Sequence, residues 1–395
     1  MQISKQVNND MIRGSWIRKM FEAGARLKHE FGESNVFDLS LGNPIMEPPP
    51  MFQKRLSELA ENPLPGMHRY MPNAGYKETR DAVAENLSRE TGIRLNFEDI
   101  VMCCGAGGGL NVVLKSLLDP EDEVIAISPY FVEYGYYVNN HQGRLVVCPS
   151  KTNFMPDMTA LSKLISSRTK VVLINSPNNP TGVIYPSKIM ERFGRLIQTK
   201  ESQYGSSITL ISDEPYRKII YDGLTYPHPF VYHNKTIVVT SHSKDLGLAG
   251  ERIGFIAIHP SFPEKSIMTE ALIFCNRTLG FVNAPALMQR IIQELQQTTI
   301  DVATYQRKRD LLYEGLISLG YQVTKPTGAF YMFPKSPIED DVAFADIMLK
   351  HNVLIVPGSG FGTPGYFRLS YCVEDYVLEG ALRQFNKVNE TLDKN

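Results

Sequence analysis

Between residues 100 and 257, seven short runs rich in β-branched residues alternate with stretches of helical character, and this alternation restricts the fold more than any other feature. The runs cover residues 101–104, 124–127, 145–148, 171–174, 208–211, 237–240 and 253–257. Strands buried on both faces and joined by crossover helices read this way. The expectation is therefore an α/β fold with a sheet of about seven strands, mostly parallel, and helices on both faces. Separate signals lie toward the two ends: an amphipathic helix near 286–297, a strand-like segment at 328–333, and a proline cluster, Pro48 to Pro50, that reads as a turn into the main body. Both ends are expected to build one smaller, discontinuous α/β domain. The predicted division is a large domain over 50–288 and a small one made of 1–49 and 289–395.

Lys plus Arg (41) nearly cancel Asp plus Glu (42), so no overall field draws the chain onto nucleic acid or an anionic membrane. No run of about 18 apolar residues is present, and the first 18 residues lack the apolar stretch of a signal peptide. The expected location is the cytoplasm. Five scattered cysteines, an odd number, suit reduced thiols better than a disulfide framework. No Cys or His pair has zinc-ligand spacing, so no metal is expected.

In open α/β sheets ligands sit beyond the carboxyl ends of the strands. After the first run comes Gly105-Ala106-Gly107-Gly108-Gly109, opening a helix whose free N–H groups and dipole suit a phosphate. A dinucleotide fingerprint starting at Gly105 would need glycine where Leu110 stands. After the fourth run comes a long polar turn from Asn175 through Asn179 and Pro180 to Gly182. After the fifth come Asp213 and, one turn later, Tyr216; an acid there could also cap a helix. After the sixth comes Ser241-His242-Ser243-Lys244, followed by Gly247, Gly250, Arg252 and Gly254, a pattern that packing alone does not explain.

The spacing S-x-S-K-x5-G-x-R-x-G from Ser241 to Gly254 resembles the cofactor-lysine motif of the fold-type I, class I/II aminotransferases, the aspartate aminotransferase family. Further segments resemble the same family in the same order: Gly42-Asn43-Pro44, Tyr70-x-Pro72-x-x-Gly75, Gly105-Ala106-Gly107, Pro129-Tyr130-Phe131, Asn179-Pro180-Thr181-Gly182, Asp213-x-x-Tyr216 and Phe367-Arg368-Leu369-Ser370. Together they span nearly the whole chain.

The resemblance implies an aminotransferase that carries pyridoxal 5′-phosphate as a Schiff base on Lys244 and moves an amino group from an L-amino acid to a 2-oxo acid. Lys244 would also be the general base. Asp213 would pair with the pyridine nitrogen, Tyr216 and Asn179 would donate to the phenolic oxygen, and Phe131 would stack on the ring. Gly105, Arg252, Ser241 and the N–H groups of Ala106 and Gly107 would hold the phosphate. Tyr70 would reach the phosphate of a neighbouring subunit, which implies a homodimer with shared active sites. Arg368 would grip the substrate α-carboxylate as a planar, bidentate pair, with the Gly42 backbone closing over it. Arg277, about one residue off the position at which dicarboxylate-specific members carry a second arginine, makes aspartate with 2-oxoglutarate the leading pair. The resemblance also notes a departure, since Gly107 to Gly109 replace bulkier residues common in the family. Two alternatives stand beside this reading. A C–S lyase or a racemase of the same fold would keep Lys244 and Asp213, and a regulator with such a domain would need an added DNA-binding module, for which the Gly42 motif lies too near Met1.

Overall fold

The computed structural model describes residues 3–13 and 16–392. A short strand β1 (Phe37–Asp38) precedes seven longer ones: β2 (Ile100–Cys103), β3 (Glu123–Ile127), β4 (Arg144–Cys148), β5 (Thr169–Asn175), β6 (Thr209–Asp213), β7 (Thr236–Ser241) and β8 (Gly254–Ile258). These seven lie within two residues of their expected limits and form one sheet in the order β2-β8-β7-β6-β5-β3-β4. The pairs β3–β4, β3–β5, β5–β6 and β6–β7 are parallel, while β8 runs against both of its neighbours, β7 and β2. Every residue of β2, β3, β6, β7 and β8 is buried, which accounts for the apolar, β-branched runs at their centres. At the edge, β4 leaves Val147 40% exposed.

The limits differ from expectation most usefully at three strand ends. The β-branched signal stops at Ile174, Ile211 and Thr240, but the hydrogen-bonded ladder continues through Asn175, Asp213 and Ser241, registering Asn175 against Asp213 and Ser241 against Gly254. The polar residues that close these strands are thus as fixed as the strands.

Apolar layers cover both faces of the sheet. One packs Val101, Val171, Ile211 and Val239 beneath helices Gly105–Leu117 and Lys265–Thr278. The other face carries two clusters, one under helices Pro50–Glu61 and Lys77–Thr91 and one under Ser187–Tyr204. A fourth cluster gathers Phe37 and Leu39 with residues from 300 to 388, and takes Tyr216, Ile219 and Tyr221 from the middle of the chain. Within that region lie β9 (Tyr331–Met332), β10 (Val353–Leu354), β11 (Val356–Pro357) and β12 (Phe367–Ser370), with β1 beside β10 and the order β11-β12-β9.

Three local expectations change. The segment at 328–333 reduces to β9, because Gly328 and Ala329 leave the ladder to meet Ile219 and Gly182. The helix at 286–297 stops at Ile292; beyond it Leu295 is still buried, but Lys218 Nζ takes the Gln296 and Thr298 carbonyls as the chain turns. Pro50, read as part of a turn, instead begins a helix, where its missing N–H costs nothing. All five cysteines are unbonded thiols. No helix among the described residues is long and apolar enough to cross a membrane.

Candidate active site

Beyond the carboxyl ends of β5, β6 and β7 lies a cavity of about 310 Å³. It collects most of the residues singled out in the sequence: Gly42, Ala106, Gly107, Phe131, Asn179 and Asp213 line it, together with Tyr216, Ser241, Lys244, Arg252 and Arg368. A larger groove of about 920 Å³, between 319–322 and 335–339, contains none of them.

At one end, helix Gly105–Leu117 begins without a side-chain cap, so its first N–H groups point free toward the cavity. Gly105 has a left-handed φ of 68°, and a Cβ there would stand 2.8 Å from Arg252 Nη2. The guanidinium of Arg252 therefore lies directly against the helix start, held by a 2.9 Å hydrogen bond to the Ala249 carbonyl. Ser241 and Ser243 join hydroxyls at 3.0 Å beside it. A cation, hydroxyls and a helix N-terminus converge as a dianionic phosphate requires.

In the middle, Asp213 is buried at the end of β6. Its Oδ2 accepts a 2.5 Å hydrogen bond from the Tyr134 hydroxyl, while Oδ1 has no partner among the described residues. Burial pushes the carboxyl up to about 7, against the pull of Tyr134. A buried carboxylate with one unpaired oxygen is a costly arrangement unless a cationic or N–H donor completes it. Next to it, Asn175 donates from its amide nitrogen to the Asp213 carbonyl (2.9 Å) and accepts the Asn179 N–H (2.7 Å), which fixes the polar turn to β6.

At the far end, Arg368 on β12 is 1% exposed. Nη1 donates to Asn179 Oδ1 (3.1 Å), Nη2 donates to the Ser40 carbonyl, and Nε has no partner among the described residues. The rings of Tyr331 and Phe361 lie 4.7 and 4.9 Å from the guanidinium carbon, holding it flat. With its oxygen engaged by Arg368, the Asn179 side chain has only its NH₂ to offer the cavity. Between these ends, Lys244 Nζ donates to the Gly42 carbonyl at 2.8 Å. Burial, reinforced by Arg252 and Arg368 and opposed by Cys372, pushes this amine down to about 8.

Sequence reasoning missed Tyr331, Tyr134, Tyr137 and Asn175. Tyr331 hydrogen-bonds to Tyr216, hydroxyl to hydroxyl, at 3.1 Å, and stands where any side chain on Gly42 would have to go, with its oxygen 1.8 Å from the ideal Cβ position. Asn175 was findable, since it ends β5 as Asp213 ends β6. Three predicted residues do not line this cavity: Gly105 lies behind the Arg252 guanidinium, Tyr70 is 90% exposed, and Arg277, near the end of helix Lys265–Thr278, is exposed with its guanidinium over Phe274.

A family model described as "Aminotransferase class I and II" matches residues 34–385. The chain is 33% identical to the aspartate/prephenate aminotransferase of Thermus thermophilus over 360 residues, covering 89% of this chain and 90% of that one. Among solved structures, an amino transferase from Eubacterium rectale superposes with a TM-score of 0.96 at 38% identity, over 99% of each chain. The Thermus thermophilus aspartate aminotransferase with maleate gives 0.86 at 28% identity, over 98% of this chain and 100% of that one.

Proposed function

The chain belongs to the class I and II aminotransferases, enzymes dependent on pyridoxal phosphate, and from that premise we propose that it exchanges amino groups between L-aspartate and 2-oxoglutarate. The observation that carries the reading is the unpartnered Asp213 Oδ1, buried in the same cavity as Lys244 and Arg368. The cavity fits the cofactor on this chain's own terms. Arg252, Ser241 and the helix start at Gly105, Ala106 and Gly107 suit its phosphate, the unpaired oxygen of Asp213 suits a pyridine N–H, and Phe131 lies at its wall.

Pyridoxal phosphate, when bound, supplies an electron sink for the pair released as the substrate's Cα–H bond breaks. The remaining work falls to side chains. Asp213, completed by a cationic N–H, would stay ionised and keep that proton in place. Tyr216 and the Asn179 NH₂ would donate to the phenolic oxygen. Arg368 would take the α-carboxylate, pre-flattened by Tyr331 and Phe361, with the Gly42 backbone beside it. Lys244 would be the attachment point and then, through Nζ, the base that takes the Cα proton and hands it on to the cofactor carbon C4′; an amine poised near 8 is well matched to that task at neutral pH.

The substrate assignment draws on the aspartate-named relative and on the maleate, a dicarboxylate, held by the Thermus enzyme. We assign Arg277 to the side-chain carboxylate of a substrate bound in a neighbouring subunit, and Tyr70 to that neighbour's cofactor phosphate. Their exposure and their distance from their own cavity support a homodimer with shared sites. The same reading divides the chain into a body, 50–288, and a cap made of 1–49 and 289–395, of which residues 1–2, 14–15 and 393–395 lie outside those described. The free thiols support a cytoplasmic location.

The test is a spectrum from about 300 to 500 nm of the purified protein, taken as single amino acids are added. Aspartate or glutamate should convert the visible band and 2-oxoglutarate should restore it. An unmoved band overturns the assignment. Replacing Arg277 by Leu should lower kcat/KM for aspartate by on the order of a hundredfold while sparing alanine; an equal loss for both removes Arg277 from the site.

A further inference from the structure

Gly107 lies in the first turn of helix Gly105–Leu117 with ordinary helical backbone, so nothing in its conformation calls for glycine. An ideal Cβ built there would meet one group within 4 Å, the hydroxyl of Tyr137, at 3.0 Å from Oη and 3.8 Å from Cζ. Cα–Cβ bonds tilt toward the N-terminus of a helix, so the space in front of Gly107 is on the side its free N–H groups face. Tyr137 enters that space from a different element, helix Glu133–Asn140, and lines the cavity with Ala106, Ser241 and Arg252. Its hydroxyl makes no hydrogen bond to any described residue.

We propose that the Tyr137 hydroxyl donates to the phosphate of the bound cofactor, standing where a side chain at Gly107 would otherwise stand, so that the phosphate is held between Arg252 on one side and a phenol on the other. The missing side chain and the incoming phenol are then two halves of one arrangement: glycine leaves the room and tyrosine brings the donor. Burial, with Glu133 and Asp213 adding to it and Arg252 opposing, pushes this phenol up to about 12, so it keeps its proton and is a donor throughout the working pH range. The proposal rests on the reading of the cavity as a pyridoxal-phosphate site.

The test uses full-length protein freed of cofactor and titrated separately with pyridoxal phosphate and with pyridoxal, which lacks the phosphate, each followed by absorbance. Tyr137→Phe should weaken pyridoxal phosphate on the order of tenfold, the effect of losing a hydrogen bond to a charged group, and leave pyridoxal unchanged. Gly107→Ser in the Tyr137→Phe background should recover most of the lost affinity, because the hydroxyl returns from the helix side. Equal weakening of both ligands, or no weakening of either, overturns the role of Tyr137. Wild-type protein that binds neither ligand overturns the cofactor site and this inference together.

Discussion

Lys244 has to be an amine in a place where an ammonium is poorly solvated. Its folded value near 8 lies below the ordinary 10.5, so between those limits the unfolded chain holds a proton that the folded chain has released. Stability linked to Lys244 therefore rises with pH across that window and is at its lowest below 8. In cofactor-free protein, Lys244→Met should be more stable than wild type at pH 7, by about 2 kcal/mol, and the difference should shrink as pH is raised toward 10. Urea unfolding at several pH values reads this directly, and a pH-independent difference would show that the lysine is not strained. Lys244, Asp213 and Asn179 were legible because each follows a strong strand signal, where a charged or amide side chain has no packing reason to be, whereas Arg368, inside β12, was legible only through the resemblance of its flanking residues to a family motif. Tyr331, Tyr134 and Tyr137 were not, because an aromatic residue beside an apolar run reads as core. It is the fold that turns their hydroxyls toward Tyr216, Asp213 and the space before Gly107.

At the scale of elements, the pairing of β7 with β8 controls where Ser241 and Arg252 stand. Gly254 opens β8 opposite Ser241, and a Cβ on it would lie 2.4 Å from the Thr240 carbonyl oxygen and 3.1 Å from the Ser241 Cα, both backbone atoms that cannot swing aside. Gly254→Ala should force the two strands apart and destabilise the protein by about 1–3 kcal/mol, as overpacking of interiors does. Gly250→Ala, with nothing within 4 Å, should be close to neutral. Chemical denaturation of the two variants side by side makes the comparison, and equal midpoints would mean the ladder can absorb a methyl group. The sequence showed the strands themselves almost to the residue, because a sheet covered on both faces admits little but Val, Ile and Leu. It misjudged 328–333 and 286–297, where apolar residues remain buried but the backbone leaves regular structure to bond with Ile219, Gly182 and Lys218.

For the whole molecule, an exposed Tyr70 and an exposed Arg277 make sense if each serves a cavity in a second copy. Mixing subunits carrying Tyr70→Ala with subunits carrying Lys244→Ala, each inactive alone, should restore activity to roughly a quarter of wild type, since half the dimers are mixed and each mixed dimer has one intact site. No recovery after confirmed exchange would confine each site to a single chain. The residues proposed to hold a chain's own cofactor fall between Gly105 and Arg252, whereas β1 has its ladder partner in β10 and Arg368 is needed to engage Ser40. During synthesis at about 5–20 residues per second, the cradle is out of the ribosome on the order of ten seconds before the carboxylate grip. A polypeptide that ends early in that interval would carry Lys244 and Asp213 but neither Arg368 nor Phe330 and Tyr331, against which Tyr216 packs, so a stop there yields a lysine without the grip that would present a substrate to it.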